Sequence, residues 1–268
     1  MEVDGWRPSL TLPYNASLTS LQRIEQLMQW IERRDGRPGL LAAYLADVDT
    51  AGHWWGPESR QVDEALVLVD AAIQHLIVRL QEKGLLDDCT IVVVGDHGMS
   101  ALPTENLIAV EDVFSKGLLS AIGWMDLGPV SSLIPADPDA CPATLCGQIN
   151  RALRMARVSC RCYPRSELPH RYLYDRSPRI APLIIDCESG HSLTRRNSSW
   201  RPRGQHGYDP DSPLMATIFA AVGQRIPRGL VLSLQNNLDV YNLLAELLGI
   251  SPKSNDGSSA LRDKILQP

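Results

Sequence analysis

Three short stretches of this chain gather the residue types that bind metal ions: Asp49-Thr50-Ala51-Gly52-His53, Gly95-Asp96-His97-Gly98-Met99 and Gly204-Gln205-His206-Gly207. Carboxylate oxygen and imidazole nitrogen are ordinary zinc donors, and a loop or a first helical turn could aim Asp49 and His53 at one ion. Asp96 and His97 are neighbours whose side chains would diverge on a strand, but a glycine-flanked turn admits backbone angles that bring both to one centre. Taken singly, an Asp–His pair in a loop reads as a surface turn, and His206 as a turn histidine. The combination reads differently. Each cluster is framed by glycine and stands at a strand boundary, where ligands bind in open α/β sheets.

The elements that must position these residues follow from periodicity. Residues 19–34 predict an amphipathic helix, with Leu21, Ile24, Leu27, Met28 and Ile31 on one face and a capping box from Thr19 to Gln22. Gly36 and Pro38 end it, and Gly39 to Ala46 is an apolar run of strand length. The stretch DVDTAGHWWGP then reads as a loop, and residues 63–83 as a second helix carrying Leu66, Val69, Ile73, Leu76, Ile77 and Leu80 on one face. Gly84 closes that helix, and Thr90 to Val94 reads as a strand buried on both faces. Strand, helix, strand in succession implies a right-handed crossover and a parallel sheet.

From about residue 125 to 187 the signals become short and mixed. PVSSLIP and SCRCY read as strands, CGQINRALRMA as a helix, and APLIID as another buried run. LMATIFAAVG resumes the main sheet, and a closing helix opens at Asn237 and ends at Gly249, with Pro252 beyond. The expected organisation is an α/β core of residues 1–124 and 200–268, interrupted by a small α+β insertion at 125–199.

Bulk properties narrow the classes. The 268 residues are 44% hydrophobic and 21% charged, a composition that can bury a real core. A net charge of −5 without a basic block argues against duplex nucleic acid as a partner. No apolar run approaches the roughly 20 residues that span a bilayer, and the first residues lack the pattern of a signal peptide. The chain as it stands therefore carries neither an export signal nor an anchor. Six cysteines, none in a CxxC pair, argue against a thiolate zinc site; their even number is compatible with disulfides without fixing a pairing. Sequons at Asn15 and Asn197 fit an exported parent molecule.

The motifs also carry a resemblance. YLADVDTAGHWWGP is similar to an apolar strand followed by D-x-x-G-H-x-x-G-P, and TIVVVGDHGMS to a strand ending in D-H-G-M. RIAPLIIDCESG, GQHGYDPDSPLMATIFAAVG and DVYNLLAELLGISP follow in matching order and spacing. Over essentially the whole chain these segments resemble the nucleotide pyrophosphatase/phosphodiesterase family of the alkaline phosphatase superfamily. The resemblance implies a mostly parallel sheet flanked by helices. It implies two zinc ions about 3.5–4 Å apart, with Asp49, His53 and His206 matching three ligands of one and Asp96 and His97 two ligands of the other. It implies in-line attack on phosphorus by a Thr or Ser hydroxyl, followed by hydrolysis of the covalent intermediate. Substrates would be nucleotides or choline phosphodiesters, and the parent family is extracellular or at the cell surface.

The same resemblance calls for a further Asp at a strand end and a hydroxyl nucleophile upstream, and residues 1–38 offer neither. Asp4-Gly5 follows only Met1, Glu2 and Val3. The expectation is an N-terminally truncated catalytic domain. Two other readings compete: a catalytically inactive zinc-binding interaction protein on the same fold, and a sulfatase- or phosphomutase-like hydrolase. Asp47 lies two residues before Asp49, but the family spacing selects Asp49 as ligand and leaves Asp47 a supporting role. His75, His170 and His191 read as structural or exposed, and Trp54 and Trp55 as candidates for a pocket wall.

Overall fold

The computed structural model describes residues 5–266; Asp4 and the residues before it lie outside them. The helices are α1 (Ser20–Ile31), α2 (Asp47–Trp55), α3 (Arg60–Glu82), α4 (Val110–Val113), α5 (Lys116–Ser120), α6 (Pro142–Met155), α7 (Val240–Leu247) and α8 (Ala260–Leu266). The strands are β1 (Ile91–Val94), β2 (Ser100–Ala101), β3 (Leu107–Ala109), β4 (Ile122–Asp126), β5 (Val130–Pro135), β6 (Cys160–Pro164), β7 (Leu183–Cys187), β8 (Ser192–Thr194), β9 (Gly204–Gln205) and β10 (Phe219–Val222). They form two compact units, one comprising the chain up to Val48, Glu64–Asp96 and everything from Ile218, the other Asp49–Asp63 and His97–Thr217.

In the first unit α1 starts where the capping box predicts. Gln22 N donates to Thr19 Oγ1 at 3.2 Å and Thr19 N to Gln22 Oε1 at 2.9 Å, which satisfies two orphan amides of the first turn. Ile24, Leu27, Met28 and Ile31 pack onto Ala72, Leu76 and Leu80 of α3. Leu21, expected on the same face, is exposed instead. The polar flank of this helix pair is tied by charge, with His75 and Arg79 both on Glu25 and Arg79 also reaching Glu32 at 3.0 Å. His75 is thus a structural residue.

Two sequence expectations fail here. Residues 39–46 form no strand; the run has no regular secondary structure, and Leu41 anchors it in the α1–α3 clusters. An apolar run becomes a strand only where a neighbour can take its backbone hydrogen bonds. For the same reason no parallel crossover links it to β1. That strand pairs antiparallel with β10, Ile91 opposite Val222, and Val94 is 45% exposed rather than buried. Beyond β10, Leu243 of α7 and Leu261 and Ile265 of α8 close a further cluster against Phe219.

The second unit is built on an antiparallel sheet of order β4-β5-β7-β6. Strands β5, β6 and β7 and the helix α6 arise where the mixed signals at 125–187 placed them, whereas the edge strand β4 was not foreseen. Leu145, Ile149 and Leu153 of α6 meet Leu133, Leu183 and Ile185 of the sheet in the largest core of the molecule. Two disulfides tie it: Cys146–Cys162 joins α6 to β6, and Cys160–Cys187 joins β6 to β7. Closing loops of this size restricts the unfolded chain by about 3 kcal/mol each in the entropic account. β3 and β8 form a parallel pair, and β2 and β9 a short antiparallel one. Among the described residues no helix is long and apolar enough to cross a membrane.

Leu133 is fully buried and Met155 is 76% exposed. Leu133→Ala should lower the unfolding free energy of this unit by about 2–5 kcal/mol, whereas Met155→Ala should change it by no more than about 0.5 kcal/mol. Urea denaturation followed by circular dichroism checks both.

Candidate metal centre

The segment read as a loop is the helix α2. Its acidic start, Asp47 and Asp49, suits the positive end of a helix dipole, and His53 lies in its last turn. Helical geometry changes the relation between the two acids. Residues two apart diverge, while residues four apart share a face, so Asp49 and His53 stand together and Asp47 points elsewhere. Asp47 accepts a hydrogen bond from Ser20 Oγ at 2.5 Å, which is the supporting role expected of it.

His206 reaches the same place through two glycines. β9 runs against β2, with Gly204 opposite Ala101, and also against α2, where Arg203 N donates to His53 O at 2.7 Å. A Cβ on Gly204 would stand 2.4 Å from the Gly52 carbonyl oxygen, and one on Gly52 2.9 Å from Met99 Cε. Gly204 is required by its close approach to main chain, whereas at Gly52 the flexible end of Met99 can yield. Gly98 is required as Gly204 is, since its Cβ would lie 2.1 Å from Leu214 O. Of the motif glycines Gly207 has positive φ, +92°, so the turn freedom expected of these residues is in large part a demand for space.

The three side chains converge. His206 Nε2 lies 3.1 Å from His53 Nε2 and 3.5 Å from Asp49 Oδ1, and His53 Nε2 lies 3.4 Å from that oxygen. All three are partly screened from solvent, His53 most. Ligand atoms about 2.0–2.1 Å from a tetrahedral zinc are separated by about 3.3–3.4 Å from one another, so the triangle has the right size. Its protonation also fits. The Nδ1 of His53 is 2.9 Å from the Gly204 carbonyl oxygen and must donate to it, leaving a lone pair on Nε2 of the neutral ring. Asp49 Oδ1 is buried and has no hydrogen-bond partner. A buried carboxylate oxygen without a donor is costly unless a cation completes it. Among the described residues these three are the group of donors close enough to share one ion.

Asp96 and His97 do not join that group. His97 stacks on His206, ring centroids 3.5 Å apart, and its Nδ1 donates to the Gly98 carbonyl at 2.9 Å, again leaving Nε2 as the lone-pair nitrogen. Asp96 follows β1, where its carbonyl oxygen and that of Gly95 accept from Asn237 Nδ2 at 3.3 and 3.2 Å. His170 begins a short 3-10 turn, and His191 precedes β8. Trp54 meets the centre indirectly through Trp200, whose ring lies edge-on to it at 4.7 Å and to His53 at 5.8 Å. Trp55 is 60% exposed. Trp200 has no motif spacing that marks it beforehand.

A mixed α/β chain thus places an Asp–His–His triangle of zinc dimensions beside glycine-framed turns. Residues 2–209 match the type I phosphodiesterase / nucleotide pyrophosphatase family, and the chain belongs to that family. It is 28% identical over 251 residues to a bis(5'-adenosyl)-triphosphatase of Mus musculus, covering 93% of this chain and 53% of that protein. It is also 28% identical to ectonucleotide pyrophosphatase/phosphodiesterase family member 7 of Mus musculus, over 91% of this chain and 54% of the other. The chain thus spans about half the length of these relatives. Human ectonucleotide pyrophosphatase/phosphodiesterase 5 superposes with a TM-score of 0.85 at 26% identity, over 100% of this chain and 69% of that one. An inactive variant of the murine protein in complex with AMP superposes with a TM-score of 0.88 at 25% identity, over 99% and 68%.

Gly204→Ala should force β9 away from α2 and open the triangle. The expected result is zinc affinity lower by at least about tenfold with little change in far-ultraviolet circular dichroism, measured by competition with a chelating dye. Unchanged affinity would show that the glycine seam does not govern the position of His206.

Proposed function

We propose that Asp49, His53 and His206 hold a zinc ion, and that Asp96 and His97 contribute to a second, in a hydrolase of phosphodiester or pyrophosphate bonds in nucleotides or related phosphodiesters. The observation that carries this reading is the donor triangle, in a chain of a family of phosphodiesterases. The chemistry that zinc supplies in such a site is polarisation of a phosphoryl oxygen and activation of an oxygen nucleophile. The chain's own residues prepare it. Gly204 O fixes the His53 ring, Gly98 O fixes the His97 ring, and the Asp49 carboxylate brings the negative charge that balances a divalent ion.

Nucleotides are the favoured substrate class, in keeping with the AMP complex of the murine relative and the adenosyl triphosphatase named among the others. We assign residues 1–124 and 200–268 to the hydrolase core and 125–199 to an insertion, whose α6 and sheet strands share a cluster with Val110, Phe114, Leu118 and Ile122 of the preceding segment. The two disulfides fit an oxidising setting outside the cytosol. Within these residues nothing matches the hydroxyl nucleophile of the family motif, and we infer that this polypeptide carries metal-binding residues without it.

The purified chain should bind zinc, and His53→Ala should abolish most of that binding. Hydrolysis of a nitrophenyl nucleotide by the 268-residue chain should be slight. Elemental analysis after dialysis and a chromogenic assay check the two points. Zinc retained undiminished by His53→Ala sinks the metal assignment, and robust zinc-dependent turnover sinks the inference about the nucleophile.

A further inference from the structure

β9 ends at Gln205, and Gly207 follows His206 with φ +92°. Tyr208 is then buried, and Asp209 emerges three residues after His206. Arg171 grips Asp209. Its two terminal nitrogens donate to the two carboxylate oxygens, and Nη1 also reaches Asp211 Oδ2 at 2.8 Å. The guanidinium lies over the Tyr172 ring, 4.6 Å from its centroid. The Tyr172 hydroxyl stands between Asp209 Oδ2 at 3.2 Å and Asp186 Oδ2 at 3.0 Å. Asp186 belongs to β7, an inner strand of the four-stranded sheet.

A continuous polar chain therefore runs from an inner strand of this unit's sheet to the segment carrying His206. We propose that Arg171, backed by Tyr172 and Asp186, is a positioning residue that sets the reach of the His206 imidazole through Asp209. The proposal rests on the reading of His206 as a zinc ligand. A planar guanidinium bonded to both carboxylate oxygens fixes orientation as well as distance, which a lysine ammonium cannot do. Arg171 also holds the Asp209 carboxyl down to about 2, so that it stays ionised and gripped, while burial pushes the Asp186 carboxyl up. Exposed ion pairs contribute little to global stability. Partners that orient metal ligands govern affinity strongly. The two effects can therefore be separated.

The test uses the full chain with Arg171→Met, Arg171→Lys and Tyr172→Phe, and His206→Ala as reference. Arg196→Met, which breaks a somewhat more exposed pair with Asp112, is the control. Zinc affinity is read by chelator competition, ligand geometry from the absorption spectrum of bound cobalt, and stability from the thermal midpoint. The expected result is zinc affinity about tenfold lower in Arg171→Met, a partial loss in Arg171→Lys and Tyr172→Phe, and an altered cobalt spectrum. The thermal midpoint should match that of Arg196→Met, which keeps the wild-type affinity. Wild-type affinity and cobalt spectra in both Arg171→Lys and Tyr172→Phe overturn the proposal, even where Arg171→Met fails to fold. An equal loss in Arg196→Met overturns it too. Should the wild type not bind zinc, or His206→Ala bind it equally well, the metal reading itself fails.

Discussion

One contact governs the arrangement of the centre: the main chain of β9 lying directly on the Gly52 carbonyl of α2. The gap leaves no room for a methyl group on Gly204. The same seam is fastened by the amide of Arg203 on His53 O and by the His53 ring on Gly204 O. Each bond ties a residue of one motif to a neighbour of the other, so helix and strand cannot shift without moving donors. A helix alone can offer Asp49 and His53 at four-residue spacing, but a third donor must arrive from elsewhere in the chain. Backbone-to-backbone packing is the most rigid way to deliver it, because it involves no rotatable side chain.

That rigidity is matched by what lies behind it. The apolar clusters of the first unit are small, two of them joined only through Leu41 and Leu76. The second unit, which holds Asp49, His53 and His206, has the one extensive core, with Leu133, Ile149, Leu153, Leu183 and Ile185 almost wholly excluded from water. Geometry within a few tenths of an ångström needs a support that does not breathe, and dense packing supplies it.

The donors were legible in the sequence because their signal is local: residue type, a glycine frame and a four-residue interval. α1 was legible because a capping box and a repeating apolar face act within one element. The state of residues 47–55 was not, since aspartates, a glycine and paired tryptophans read as a loop until the packing of Gly52 under Met99 and Gly204 is seen. The pairing of β1 was missed for a related reason. Its partner β10 comes from the far end of the chain, and strand direction is set by that distant segment, not by the composition of TIVVV. Arg171 and Trp200 gave no signal at all, because their importance lies in what they touch.

The cysteines of β6 link oxidation to register. Cys160 and Cys162 alternate with one residue and face the same side of the strand, one bonded across to β7 and the other up to α6. A slip of β6 by two residues along β7 preserves the inside-outside pattern of its side chains, yet it brings Cys162 to the place of Cys160 opposite Cys187. Hydrophobic patterning therefore does little to distinguish the two alignments; the disulfides do, together with the Asn150 side chain, which bonds both the amide and the carbonyl of Cys162. Once both disulfides have formed, the strand can no longer slide.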